Sequence, residues 1–135
     1  MTTIEYKINN PISTSSIIEV FINSRISRPL VDLARIEKMF NNSNLIVSAW
    51  EGDKLIGVSR SLTDFSYCCY LSDLAVRKEY RNPGIGKRMI EITKKEIGEK
   101  VMLLLLSAPN AMEYYTKVGF EKVQNGFIIK IHIVT

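Results

Sequence analysis

At Gly84 the hydrophobic period of the chain changes, and this switch constrains the fold more than any other feature. Upstream, Cys68 to Val76 alternates as a strand does, with Leu71, Asp73 and Ala75 on one face and Ser72, Leu74 and Val76 on the other. Downstream, Ile85, Met89, Ile92 and Ile97 recur at helical spacing, while Lys87, Arg88, Glu91, Lys94 and Lys95 face away. The junction is basic: Arg77, Lys78, Arg81, Lys87 and Arg88 fall within 12 residues, with Glu79 the only acid among them. A strand that passes through a glycine loop into a helix leaves the helix's first N–H groups without intrahelical partners, at the positive end of its dipole. That is a site for an anion. Gly84 and Gly86 let the backbone approach a ligand because no Cβ intrudes, and Arg81, Lys87 and Arg88 add full charges.

The same reading extends along the chain. Thr3 to Ile8 predicts a first strand, broken at Asn10-Pro11. Ser13 to Ser15 offer caps for a helix to about Asn23, with Ile17, Ile18 and Phe21 inward. Asp32 caps a second helix whose Leu33, Ile36 and Phe40 form a stripe. Leu45 to Trp50 and Lys54 to Leu62 flank the turn Glu51-Gly52-Asp53. After the Gly84 helix, ended by Gly98, the run Val101 to Leu106 is apolar on both faces, as a strand covered on both sides should be. Pro109 opens a short helix that Gly119 closes, and Phe120 to Val123 and Phe127 to Ile133 predict a last hairpin turning at Gln124-Asn125-Gly126. The order βααβββαβαββ is a single α/β domain, a mixed, mostly antiparallel sheet with helices on both faces.

With 135 residues, 46% of them hydrophobic, the chain can bury one real core. It has no long apolar span, and its first residues lack the basic-then-apolar pattern of a secretory signal, so a soluble cytoplasmic protein without a membrane contact is expected. Cys68 and Cys69 are adjacent, and His132 is the only histidine, so neither a structural disulfide nor a metal site is expected.

Several ligands could use a glycine loop. A Walker loop would need glycine at position 81 and Ser or Thr at 88, where this chain has Arg81 and Arg88. A dinucleotide fingerprint would need a third glycine where Met89 stands. Nucleic acid is disfavoured as a partner because the basic cluster is short and no aromatic platform interleaves it.

Arg81-Asn82-Pro83-Gly84-Ile85-Gly86 resembles the pyrophosphate loop of the GNAT superfamily of acetyltransferases, which carries Arg or Gln, two residues, Gly, one residue, then Gly or Ala. The block Ala111-Met112-Glu113-Tyr114-Tyr115-Thr116-Lys117-Val118-Gly119-Phe120 resembles that family's second motif, and the two arrive in family order with a strand between. Gly57 to Asp64 is more loosely similar to plant-type arylalkylamine acetyltransferases. The resemblance implies acetyl transfer from acetyl-CoA to a small-molecule or peptide amine, by direct attack and without a metal. It also implies a pantetheine arm along the backbone of Leu74, Ala75 and Val76, and a pyrophosphate on Arg81, Asn82, Gly84, Ile85, Gly86 and Lys87, with Asn110 at the upstream asparagine position. Tyr115 matches the family's acid. Asp73 is the candidate base, with a structural pairing to Arg60 or Arg77 as its alternative. Tyr67, Tyr70 and Trp50 are candidates to line the amine pocket, and Arg60 with Asp64 to hold the hairpin. A non-catalytic acetyl-CoA sensor would keep the loop without needing Tyr115. The apolar Phe127–Ile133 edge favours a homodimer.

Overall fold

The computed structural model describes residues 3–81 and 84–132. Its elements are β1 (Glu5–Ile8), α1 (Thr14–Ser24), α2 (Leu33–Asn41), β2 (Leu45–Glu51), β3 (Lys54–Thr63), β4 (Cys68–Val76), α3 (Ile85–Ile97), β5 (Met102–Leu105) and α4 (Met112–Lys117). Short 3₁₀ turns precede α3 and α4, at Lys78–Tyr80 and Pro109–Ala111. The caps lie where the sequence offers them. Ser13 accepts a hydrogen bond from the Ser16 N–H, and Asp32 accepts one from Arg35.

The strands form one sheet in the order β1-β2-β3-β4-β5, antiparallel except for the parallel β4–β5 pair. Helices α1 and α2 cover one face, burying Ile17, Val20, Phe21, Ile36 and Phe40 against Leu55, Val58 and Ala75. Helix α3 covers the other, with Ile85 and Met89 against Val47, Ala49, Ile56 and Val76. Both Leu55 and Val58 face α1 and α2 because the β2–β3 register shifts after Ala49. That shift also turns Gly57 toward α3, where an added Cβ would lie 3.2 Å from the Met89 side chain and 3.3 Å from the Ala75 carbonyl.

Four expectations are corrected. The final hairpin is not formed: among the described residues no strand follows α4, and Ile133 lies outside them. The Asn125-Gly126 turn chemistry is not used, since Gly126 is absent from the positive-φ glycines. Strand β5 is an edge rather than a covered strand, with Met102, Leu104 and Leu106 exposed, because the hairpin that should cover it is missing. The even alternation of β4 also fails. A register shift between Arg60 and Ser61 leaves Ser72 as an extra residue, and its hydroxyl turns to the same arginine that Asp73 holds. Finally, Arg60 does not pair with Asp64, whose carboxylate instead accepts the N–H groups of Ser66, Tyr67 and Cys68.

Candidate active site

The site begins where β4 and β5 part. They pair only through Cys68–Leu71 and Met102–Leu105, while β4 continues to Val76 against β3. From Ser72 to Val76 the strand therefore has a neighbour on one side and a notch on the other. Ala75 is buried in the α1–α2 core and Val76 lies under α3, so these residues offer the notch backbone rather than side chains. Part of that backbone is taken. The Ser72 carbonyl accepts from the Arg28 guanidinium at 2.7 Å, and the Val76 carbonyl from Arg81 at 3.4 Å. Leu74 lies between them.

The glycine loop closes one end of the notch. The first helical bond of α3 runs from the Arg88 N–H to the Gly84 carbonyl, so the N–H groups of Ile85, Gly86 and Lys87 have no partner within the helix. Gly84 stands at φ 78°, and a Cβ placed there would meet no atom of the described residues within 4 Å. Among the described residues, the space beside Gly84 is thus open. Ile85 points into the core and can serve a ligand only through its backbone, whereas Lys87 is exposed. Asn82 lies outside the described residues. Arg81 spends its guanidinium on the Val76 and Ser24 carbonyls, which ties the loop to the end of α1. Asn23 does the same, accepting from the Lys78 N–H and donating to Glu79. Neither Asn23 nor Ser24 carries a motif, so nothing in the sequence marked them.

Helix α4 supplies the two tyrosines. The Tyr114 hydroxyl lies against Gly86, 2.8 Å from where a Cβ would be, so this glycine makes room for a phenol. Tyr115 packs edge-on between the rings of Tyr114 and Phe120. Burial pushes both phenols above the usual tyrosine value; at Tyr115 the nearby Tyr114 adds to this and Arg28 offsets part of it. Asn110 is exposed in the turn before α4.

Asp73 is completely buried, at 0% exposure. One carboxylate oxygen accepts from Arg28 at 2.6 Å, the other from Arg60 at 2.5 Å. Arg60 also donates to the Ser43 and Ser72 hydroxyls and stacks over Phe40. The pairing weighed for Arg60 is formed, that for Arg77 is not, and Arg28 comes from a loop 45 residues away with no sequence signal. The aromatic trio does not assemble. Trp50 packs against the α1–α2 core and donates to Ser48, while Tyr67 is exposed on the β3–β4 turn.

A parted sheet with a glycine-headed helix at its mouth sets free strand backbone beside helix N–H groups that can receive an anion. The family profile described as "Acetyltransferase (GNAT) domain" matches residues 9–130, and this chain belongs to that family. The sequence is 28% identical over 78 residues to the chloroplastic GCN5-related N-acetyltransferase 2 of Arabidopsis thaliana, covering 54% of this chain and 29% of that protein. It is 26% identical over 94 residues to an uncharacterized ycf52-like N-acetyltransferase of Prochlorococcus marinus, covering 65% and 52%. The matches thus span about half or less of these relatives' lengths. A crystal structure of a probable acetyltransferase of unknown function from meticillin-resistant Staphylococcus aureus superposes with a TM-score of 0.81 at 25% identity, covering 96% of this chain and 100% of that one. The aminoglycoside N-acetyltransferase AAC(6')-Iy, solved with CoA, shares the fold at a TM-score of 0.75 and 13% identity, covering 98% and 97%. The looser likeness to arylalkylamine-type members gains no support from these relatives.

Proposed function

We propose that this protein is an N-acetyltransferase that moves an acetyl group from acetyl-CoA to a primary amine in a ternary complex. The observation that carries the reading is the notch itself: five residues of β4 with one open side, ending at a helix whose first three N–H groups lack helical partners. The residues fit the cofactor. Gly84 holds a left-handed conformation with free space before it, and α3 has no acid in its first turn to repel a pyrophosphate. The CoA complex of AAC(6')-Iy supports the same cofactor for this fold.

Acetyl-CoA, when bound, supplies a thioester carbon at which the amine forms a C–N bond as the C–S bond breaks. In this reading the N–H groups of Ile85, Gly86 and Lys87, with Gly84 at the turn and Asn82 beside it, hold the pyrophosphate; Leu74, Ala75 and Val76 align the pantetheine, and Asn110 borders it. Arg81 acts mainly by fixing the loop to α1 and Val76. Tyr115 keeps its proton at neutral pH because burial raises it, so it is suited to protonate a departing sulfur. Asp73, with each oxygen on a guanidinium and no exposed surface, is given the structural role of holding Arg28 at the notch. The proton of the attacking amine leaves through water.

The test is thermal stabilisation by acetyl-CoA together with thiol release over a panel of polyamines, arylalkylamines, amino acids, peptide N-termini and an aminoglycoside. The aminoglycoside is included because a neighbour sharing the fold was solved with sisomicin. Stabilisation and amine-dependent thiol release are expected, and Gly84→Val should abolish both by filling the space before the loop. Stabilisation without turnover on any amine would leave the sensor reading standing. A Gly84→Val protein that still binds acetyl-CoA normally would sink the loop assignment.

A further inference from the structure

We infer that Arg28 binds a carboxylate on the acceptor, and that the acceptor site takes free amino acids with apolar side chains. The inference rests on the proposed acetyl transfer and names the substrate class of that same site. It starts from the hydrogen bonds of one guanidinium. Arg28 gives its Nε–H to Asp73, one Nη1–H to the Ser27 carbonyl and one Nη2–H to the Ser72 carbonyl. A guanidinium carries five N–H donors, so two of them have no acceptor among the described residues. The three bonds hold the group in place, yet its side chain is still 26% exposed. Fixed, accessible N–H groups on a planar cation suit a two-oxygen anion.

Position and charge agree. Ser72 is where β4 loses its β5 neighbour, so the guanidinium lies at the start of the notch. It is also near enough to Tyr115 for its charge to act on that phenol. Arg28 and Arg60 share one carboxylate, and among the described residues neither has another ion pair. The cluster therefore keeps one positive charge. Asp73 is fully buried with both oxygens engaged, so it is not free to receive an ammonium group. A polyamine or aminoglycoside brings only positive charge to this place and is repelled, whereas an amino acid brings the carboxylate that offsets it. The rest of the acceptor has an apolar seat. Leu62, Tyr70 and Leu104 stand abreast on β3, β4 and β5. Leu62 lies two residues beyond Arg60 and so shares its face. All three side chains are exposed, past the cover of α1 and α2.

The experiment titrates the protein, with CoA present, by calorimetry against L-phenylalanine, L-leucine, glycine, phenylalaninamide and phenethylamine. L-Phenylalanine and L-leucine should bind, and glycine, with nothing for the apolar row, should bind more weakly. Phenylalaninamide and phenethylamine lack the carboxylate and should bind roughly 10–100-fold more weakly than L-phenylalanine, the range of a hydrogen bond to a charged group. Arg28→Gln should bring L-phenylalanine down to the level of its amide and leave the amide's affinity unchanged, while Arg28→Lys should recover part of the loss. A merely structural role would weaken both ligands alike. Absence of saturable binding by L-phenylalanine and L-leucine, an amide or glycine that binds as tightly as L-phenylalanine, or an Arg28→Gln protein that keeps the preference or weakens both ligands equally would each overturn the inference. No turnover enters these readouts, so an Arg28-dependent preference without acetyl transfer would sink the proposed activity and keep the carboxylate site.

Discussion

Two adjacent tyrosines face different tasks. Tyr114 places its hydroxyl on Gly86, while Tyr115 is held between two rings near the charge of Arg28. Phenylalanine keeps the packing and removes only the proton. Tyr115→Phe should therefore fold and bind acetyl-CoA as the parent does, and lose turnover by roughly 10²–10⁴-fold, the range of a general acid. Tyr114→Phe should lose far less, and the reverse ranking in steady-state kinetics would move the acid by one residue. Asp73 makes a different kind of claim. Removing it leaves the buried Arg60 guanidinium uncompensated, which costs about 3–5 kcal/mol in general. Arg28 is partly exposed and can turn to water, so Asp73→Ala should fall toward the lower end, read from the urea midpoint. A change below about 1 kcal/mol, the scale of a surface pair, would return Asp73 to the list of groups held for chemistry.

At the scale of the element, the β3–β4 turn has its own chemistry. One Asp64 oxygen accepts three successive backbone N–H groups, letting Phe65 sit at φ 57° without glycine. Those bonds, led by the one from Tyr67, hold the carboxyl down from the ordinary 3.8 to about 2. A depressed folded value means stability that is present above the unfolded value and lost as pH falls through the folded one. The parent should thus lose stability between about pH 4 and pH 2 through this group, and Asp64→Asn should show a flatter acid limb over that window in urea titrations. Identical limbs would deny the turn this role. The cap residues Ser13 and Asp32, the Gly98 stop and the α3 stripe were all legible in the sequence because each depends on neighbours a few residues away. The β4 alternation was misread because its bulge depends on a partner strand.

Over the whole molecule, the sheet is a platform whose faces do separate jobs: α1 and α2 bury one, and α3, which follows the glycine loop, buries the other. Gly57 sets how closely α3 can lie. A valine there would meet the flexible end of Met89 but also the Ala75 carbonyl, which cannot yield. Gly57→Val should cost about 1–3 kcal/mol, as overpacking does, and weaken acetyl-CoA binding with it by tilting α3. Calorimetric binding unchanged in a destabilised variant would uncouple the loop from the helix's seat.

What the residues determined alone was local and periodic: the elements from β1 to α4, the strand–glycine–helix junction, and the two family blocks that announce an acetyltransferase of the GNAT family. These rest on spacing and on backbone freedom at Gly84, which a chain carries before it folds. The tertiary structure alone decided that Arg28 and Arg60 share Asp73, that Asn23 and Arg81 lash the loop to α1, and that Tyr114 rather than Tyr115 fills the hollow over Gly86. Each of these is a contact between distant parts of the chain, chosen by which surfaces meet once the sheet has its register. No period within one segment encodes that choice.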